Sequence, residues 1–477
     1  MTPVFSKQSL IFKQSLILTT FSLVLTRLSY CSIAKANVDL NIPLIANYFG
    51  TKGRYEDVNP YLRDNILAVN KSRPPSSDCS AIHLTAIIRH GTRYPTTKNI
   101  KKIHRLYDLV VNEASSTEKW LEHIQTEWKM WYTEDMDGKL VQKGRDDHRH
   151  LAIRLATMFP SLVSEENLRS GRIKFTTSSK HRCVDSIEAF QAGLLNLWKV
   201  KDVGQLHEID DELMRFFDKC QRFVEGVENN PSALMEVKLF KASAAMQKVQ
   251  KKMADRLRAP YSLVTPAMVE AAFFLCSYEF AIKSLHSPWC QLFDEEDALV
   301  LEYKNDLKQY WKRGYGHDIN RKSSCTLFHN LFNRLDLITH QHRLGQVSEA
   351  VTVQVGHGET LLPLLSLLGF FRDVTPLTAA NFLSQSERAF RTSRIVPYAA
   401  NLLLVLYECG EGPRLQVLLN ERPVTFPGMK EPAPLYREVR ERYGALLQGC
   451  DFHRECGVTP PRHTEPHHHP PSHNSEL

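Results

Sequence analysis

Three short runs along the chain read as strands that end in charged or reactive residues. Ile82-His83-Leu84-Thr85-Ala86-Ile87-Ile88 is mostly apolar and gives way to Arg89-His90-Gly91-Thr92-Arg93-Tyr94-Pro95. Ile173-Lys174-Phe175 alternates and leads into Thr176-Thr177-Ser178-Ser179-Lys180-His181-Arg182-Cys183, and Ala350 to Val355 leads into Gly356-His357-Gly358-Glu359-Thr360. Leu361 to Leu368 predicts a buried helix, in which Pro363 is tolerable only in the first turn. Leu140 to Gly144, followed by His148 to Phe159, predicts a helix returning to the sheet. From about Lys201 to Val347 the pattern is helical and charged, which predicts an insertion. Asn401 to Leu406 and Leu415 to Leu419 flank Gly410 and Gly412-Pro413, a hairpin signal. No internal repeat is evident. The pattern predicts an α/β fold with a central, mainly parallel sheet flanked by helices, and an inserted, mostly α-helical cap domain.

The ends of the chain follow other rules. Lys7 and Lys13 precede the apolar stretch Ser15 to Thr26, and Ala34-Lys35-Ala36 has the small-x-small form of a cleavage site, so residues 1–36 read as a signal peptide, with a signal anchor as the alternative. No later segment is apolar for long enough to predict a membrane span in the mature chain. Residues 37–100, 139–200 and 348–456 then form the α/β domain, 101–138 and 201–347 the cap, and 457–477 a disordered tail. That tail holds Pro466-His467-His468-His469-Pro470, a His tract that reads as solvated rather than metal-binding. Its end, Asn474-Ser475-Glu476-Leu477, reads as a degenerate signal for an endoplasmic reticulum retrieval receptor through Glu476 and Leu477, or as a tail that merely ends in Glu-Leu.

Composition adds constraints. Four basic residues, Lys7, Lys13, Arg27 and Lys35, and no acidic ones lie in 1–36, so the formal charge falls from +7 to +3 once that segment is removed. So mild an excess gives no argument for nucleic acid, and no Walker loop, zinc-finger spacing or dinucleotide fingerprint accompanies it. Nine cysteines follow residue 36, an odd number that leaves at least one unpaired in a monomer. Cys450 and Cys456 are near enough in sequence to close a small loop. Asn70-Lys71-Ser72 is a glycosylation sequon in a Pro-rich, exposed setting. Asn230-Pro231 predicts the start of a helix bearing Lys238, Lys241, Lys248, Lys251 and Lys252. That face either draws the outer phosphates of a substrate or is simply solvated.

The chemistry sits in the three strand ends. In Arg89-His90-Gly91-Thr92-Arg93 a histidine lies between two guanidiniums, whose planar forks stay charged and donate in pairs to phosphate. A neutral imidazole there can attack phosphorus and become phosphohistidine, while Gly91 lets the backbone turn and approach an oxyanion. Arg182 and His357 are placed to join the same sheet edge, and Glu359 adds a carboxyl group.

Together RHGTRYP, SSKHRC and GHGET resemble the histidine acid phosphatase branch of the histidine phosphatases, and within it the multiple inositol polyphosphate phosphatases, over about Val38 to Cys456. Gly358 stands where that subfamily has alanine. The resemblance implies His90 as nucleophile, with Arg89, Arg93, Arg182 and His357 holding the phosphoryl oxygens and Glu359 as proton donor to the leaving alkoxide. It implies a metal-independent, cofactor-free phosphomonoesterase, which the signal peptide and the terminal Glu476-Leu477 would place in the endoplasmic reticulum lumen or the secreted fraction. Its substrates would be small polyphosphates, inositol hexakisphosphate and 2,3-bisphosphoglycerate among them. Three arginines and an imidazolium suffice for the charge on three oxygens, and the donor needs a raised pKa, for which an adjacent phosphate is one cause. The alternatives are a broad-specificity acid phosphatase and a phosphate-binding protein in which Gly358 misplaces Glu359.

Overall fold

In the computed structural model, described over residues 43–70, 74–201, 206–346 and 349–457, three buried strands lie side by side where the sequence places them. β1 (Ser80–Arg89) pairs in parallel with β4 (Val351–Gly356), and β4 in parallel with β2 (Ile173–Thr177). A short strand, β3 (His207–Ile209), extends this parallel core beyond β2. On the other side of β1 the sheet turns antiparallel through β5 (Asn401–Glu408), β6 (Arg414–Leu419) and β7 (Arg422–Val424), giving the order β3-β2-β4-β1-β5-β6-β7. The sheet is therefore mixed around a parallel core. The range 201–347, expected to be mostly helical, also carries β3 near its start, whose three residues are too few to show a periodicity.

Helices cover the sheet and fill most of the stretch between β3 and β4. They are α1 (Thr97–Glu113), α2 (Gln142–Met158), α3 (His181–Trp198), α4 (Ala244–Leu257), α5 (Pro266–Lys283), α6 (Glu295–Arg313), α7 (Cys325–Arg343) and α8 (Gly358–Leu367). Alternate residues of β1, Leu84, Ala86 and Ile88, share a core with Val351, Val353 and Val355 of β4 and with Leu151, Leu155, Ile187 and Phe190 of α2 and α3. This is the period-two burial expected of strands under helices. None of the described helices is long and apolar enough to cross a membrane.

Two expectations fail on local structure. Asn230 does cap a helical turn, its side chain accepting from the Ser232 N–H at 3.0 Å, but the chain breaks after Lys241 and Ser243 caps α4 anew. The lysines therefore do not share one helix. Cys450 and Cys456 do not pair with each other: Cys325–Cys450 and Cys220–Cys456 form instead, with the short helix Phe452–Cys456 lying between the two thiols in sequence. Cys79–Cys409 and Cys276–Cys290 complete four disulfides, and Cys183 is a buried free thiol. The signal peptide, Lys71 and Ser72 of the sequon, the His tract and the Glu476-Leu477 terminus lie outside the described residues. Asn70 itself is exposed outside any helix or strand.

Candidate active site

Parallel pairing brings three distant loops to one edge. Arg89 lies opposite Gly356 and Thr177 opposite Val355, so β1, β4 and β2 end together. The His90 N–H donates to the Gly356 carbonyl at 2.9 Å and the Ser178 N–H to the Val355 carbonyl at 3.3 Å, carrying the register one step past the strands. Gly91 serves packing rather than a left-handed turn. A Cβ there would lie 2.6 Å from Cα of Gly144, and the reciprocal atom on Gly144 would meet the backbone of Thr92, so this loop and the first turn of α2 interlock through two glycines.

His90 is buried, and its Nδ1 lies 2.9 Å from the Gly91 carbonyl. A carbonyl only accepts, so Nδ1 carries the proton and the Nε2 lone pair is left for attack. Burial, then the charges of Arg89, Arg182 and Arg93, hold this imidazole well below its ordinary pKa, so it is neutral. The His357 ring is 5.7 Å away, centroid to centroid. Its Nε2 lies 3.0 Å from Ser178 Oγ and its Nδ1 3.5 Å from Arg182 Nη2. Arginine can only donate, so Nδ1 accepts and Nε2–H points to the serine. Burial pushes His357 down to about 3, so it is a neutral imidazole here rather than the expected imidazolium.

The three arginines are anchored yet left with donors to spare. Arg89 Nη1 donates to the carbonyls of Thr51 and Val396, both at 2.6 Å, and Arg93 Nη1 donates to that of Tyr94 at 2.7 Å. The Nε of Arg89, Arg93 and Arg182 are each buried with no hydrogen-bond partner among the described residues. Burial lowers Arg89 to about 10, and burial with the neighbouring Arg93 lowers Arg182, whereas Tyr278 and Tyr398 help hold Arg93 charged against its burial. Desolvated cations with unsatisfied N–H groups favour an anion with several acceptor oxygens.

Glu359 lies in the first turn of α8, which His357 caps: its N–H donates to Thr360 Oγ1 at 2.9 Å. The helix starts at Gly358, so Pro363 falls beyond the first turn, contrary to expectation, and the carbonyl of Glu359 loses its helical N–H partner. A Cβ on Gly358 would sit 3.6 Å from Arg89 Nε, an ordinary contact, so alanine fits there and glycine does not displace its neighbour. Burial pushes the Glu359 carboxyl up, but Arg313, His357 and Arg89 outweigh it and hold the group below the usual carboxylate range. The raised pKa expected from the sequence is thus not set by the protein's own charges.

The structure gathers Arg89, His90, Arg93, Arg182, His357 and Glu359 at one edge, and adds residues the sequence did not single out. Tyr398 stacks under Arg89, 4.7 Å from its guanidinium carbon, and Tyr278 helps to keep Arg93 charged. Ser178 was visible only as part of a motif, and Arg313 lies in an undistinguished charged helix. Lys248, Lys251 and Lys252 pair with Glu296, Asp255 and the acids Asp294 and Asp297, so their charges are matched locally, as the structural alternative requires.

The profile of the Histidine phosphatase superfamily (branch 2) matches residues 82–420. The chain is 44% identical to Multiple inositol polyphosphate phosphatase 1 of Homo sapiens, over 91% of this chain and 93% of that protein, and 45% identical to its namesake of Gallus gallus over 86% and 93%. Its fold is similar to that of the Bifidobacterium longum Multiple Inositol Polyphosphate Phosphatase in complex with inositol hexasulfate, with a TM-score of 0.67 at 14% identity over 84% of this chain and 97% of that one. The phytase from D. castellii gives a TM-score of 0.69 at 18% identity, over 89% and 92%.

Proposed function

Because the chain belongs to branch 2 of the histidine phosphatase superfamily, and within it to the multiple inositol polyphosphate phosphatases, we propose that it removes phosphate from inositol polyphosphates, inositol hexakisphosphate among them, through a phosphohistidine at His90. The chain is a phosphoric monoester hydrolase. The observation that carries the assignment of roles is the neutral His90, with its Nε2 lone pair free, set among three arginines whose Nε donors are unsatisfied.

In the first step the Nε2 lone pair forms a bond to phosphorus as the P–O ester bond breaks. Glu359 gives its proton to the leaving alkoxide, which would otherwise be a poor leaving group. In the second step the Glu359 carboxylate takes a proton from water, the water oxygen bonds to phosphorus, and the P–N bond breaks to restore neutral His90. Arg89, Arg93 and Arg182 balance the charge spread over the phosphoryl oxygens. His357 joins them once the bound anion has raised its pKa and Nδ1 has gained a proton. The same anion raises the pKa of Glu359, so substrate binding brings the acid into its working form.

A polyphosphate substrate is supported by one further basic side chain, Lys52, which a second phosphate would help to keep protonated. Lys52 follows the Thr51 carbonyl that anchors Arg89, and its ammonium lies 3.7 Å over the Phe274 ring. Burial, Arg93 and Lys308 hold its pKa well below the ordinary value. Four disulfides further support a route through an oxidising compartment, which fits the endoplasmic reticulum lumen or secretion.

Phosphate release from inositol hexakisphosphate by the purified chain, without added metal, should be abolished in His90→Ala. Unchanged release in the mutant would exclude the histidine route, and no release from the folded wild type on this ester would exclude the substrate.

A further inference from the structure

Arg313 is a cation without a task in the mechanism above, yet it is built into place. It lies in the last turn of α6, with 8% of its surface exposed. Nη2 donates to Glu228 Oε2 at 3.1 Å, while the neighbouring Lys312 takes Oε1 at 2.7 Å. The guanidinium carbon lies 5.3 Å from the centre of the Phe217 ring and 5.0 Å from that of Phe223. Phe217 in turn meets the His357 ring edge-on, at 6.1 Å. One carboxylate and two rings therefore fix this guanidinium against the wall behind the residue that precedes Gly358-Glu359. Its Nη1 is buried and has no hydrogen-bond partner among the described residues.

We propose that Arg313 is a positioning residue for the proton donor: held by Glu228 and by two phenylalanines, one of which abuts His357, it sets how readily the Glu359 carboxyl keeps its proton. Of the permanently charged groups that favour the Glu359 carboxylate, Arg313 comes before Arg89. Arg93, Arg182, the buried Cys183 and Glu228 also feel the Glu359 charge, so the donor is enclosed by groups from β1, the loop after it, α3, α6 and the turn holding Glu228. The three arginines of the phosphate cradle are neutralised when the substrate phosphate binds. Arg313, neutralised by Glu228 only in part, then remains as the cation that limits the rise in the acid's pKa. After the alkoxide has left, the same charge favours the carboxylate that must receive a proton from water.

The inference rests on Glu359 as proton donor, and its test is the alkaline limb of kcat on inositol hexakisphosphate. The donor works protonated, so activity falls as pH rises through its pKa in the complex. Arg313→Gln removes a cation and should move that limb up by about one pH unit. Arg313→Lys keeps the charge and should leave the limb in place. Glu228→Gln removes an anion and frees Arg313, so its limb should move down. Turnover of an aryl phosphate, whose leaving group needs little acid help, reports whether each variant retains the folded nucleophile and cradle. If Arg313→Gln fails that control, the downward shift in Glu228→Gln still decides. An unmoved limb in folded Arg313→Gln and Glu228→Gln, or a rise in KM alone, would overturn the proposal. Wild type inactive on both esters would instead overturn the reading of the site.

Discussion

His90 and His357 face one another as neutral imidazoles of opposite duty. His90 is fixed by a carbonyl that keeps its proton on Nδ1, and His357 by a serine and an arginine that keep its proton on Nε2. Glu359, beside Arg313 and Arg89, must gain a proton on binding, as must Nδ1 of His357. Glu359→Gln should lower kcat on inositol hexakisphosphate by about 10²- to 10⁴-fold with little change in KM. The mutant should recover most of its rate on an aryl phosphate, and equal loss on both esters would remove Glu359 from the acid role. These six residues were legible because each follows or closes a strand, a local pattern. Their protonation was not, since it depends on burial and on charges converging from remote segments. Arg313 and Tyr398 left no mark in the sequence for the same reason.

At the scale of elements, the site depends on how closely the loop after β1 meets α2. The Gly91–Gly144 contact leaves no room for either Cβ, and Thr92 Oγ1 donates to Asp147 of α2 at 3.1 Å, so helix and loop move together. Gly144→Ala should destabilise the fold by roughly 1–3 kcal/mol or more, read as a lower urea midpoint, and should impair phosphate release by shifting His90. A midpoint within about 0.5 kcal/mol of wild type would show that the loop yields. The longer strands and the helix α2 were readable from periodicity. β3 was not, because a three-residue edge strand has no period, and the break before α4 turns on the single cap Ser243.

For the molecule as a whole, burying neutral histidines couples stability to acid. Burial lowers His83 to about 3, His148 to about 4 and His357 to about 3. Each is neutral in the fold but takes a proton in the unfolded chain once pH falls below its ordinary 6.5, so the unfolded state binds more protons and gains. Each such histidine should cost about 1.4 kcal/mol per pH unit between roughly 6.5 and its folded value. The melting temperature should therefore be level above about pH 7.5 and fall steadily from about 6.5 to 4.5; a level curve through that window would contradict the assignment. The pairing of the cysteines was hidden from the sequence because Cys450 and Cys456 each reach a partner more than one hundred residues away.

The central claim is that the phosphoryl group passes through His90. Mixing enzyme with an aryl phosphate, quenching in alkali within milliseconds and mapping the modified peptide by mass spectrometry tests it directly. One phosphoryl group on His90, formed as fast as the burst of phenol, is the result expected. A burst with the phosphoryl group on another residue, or turnover with His90 unmodified and replaceable by alanine, would contradict the account.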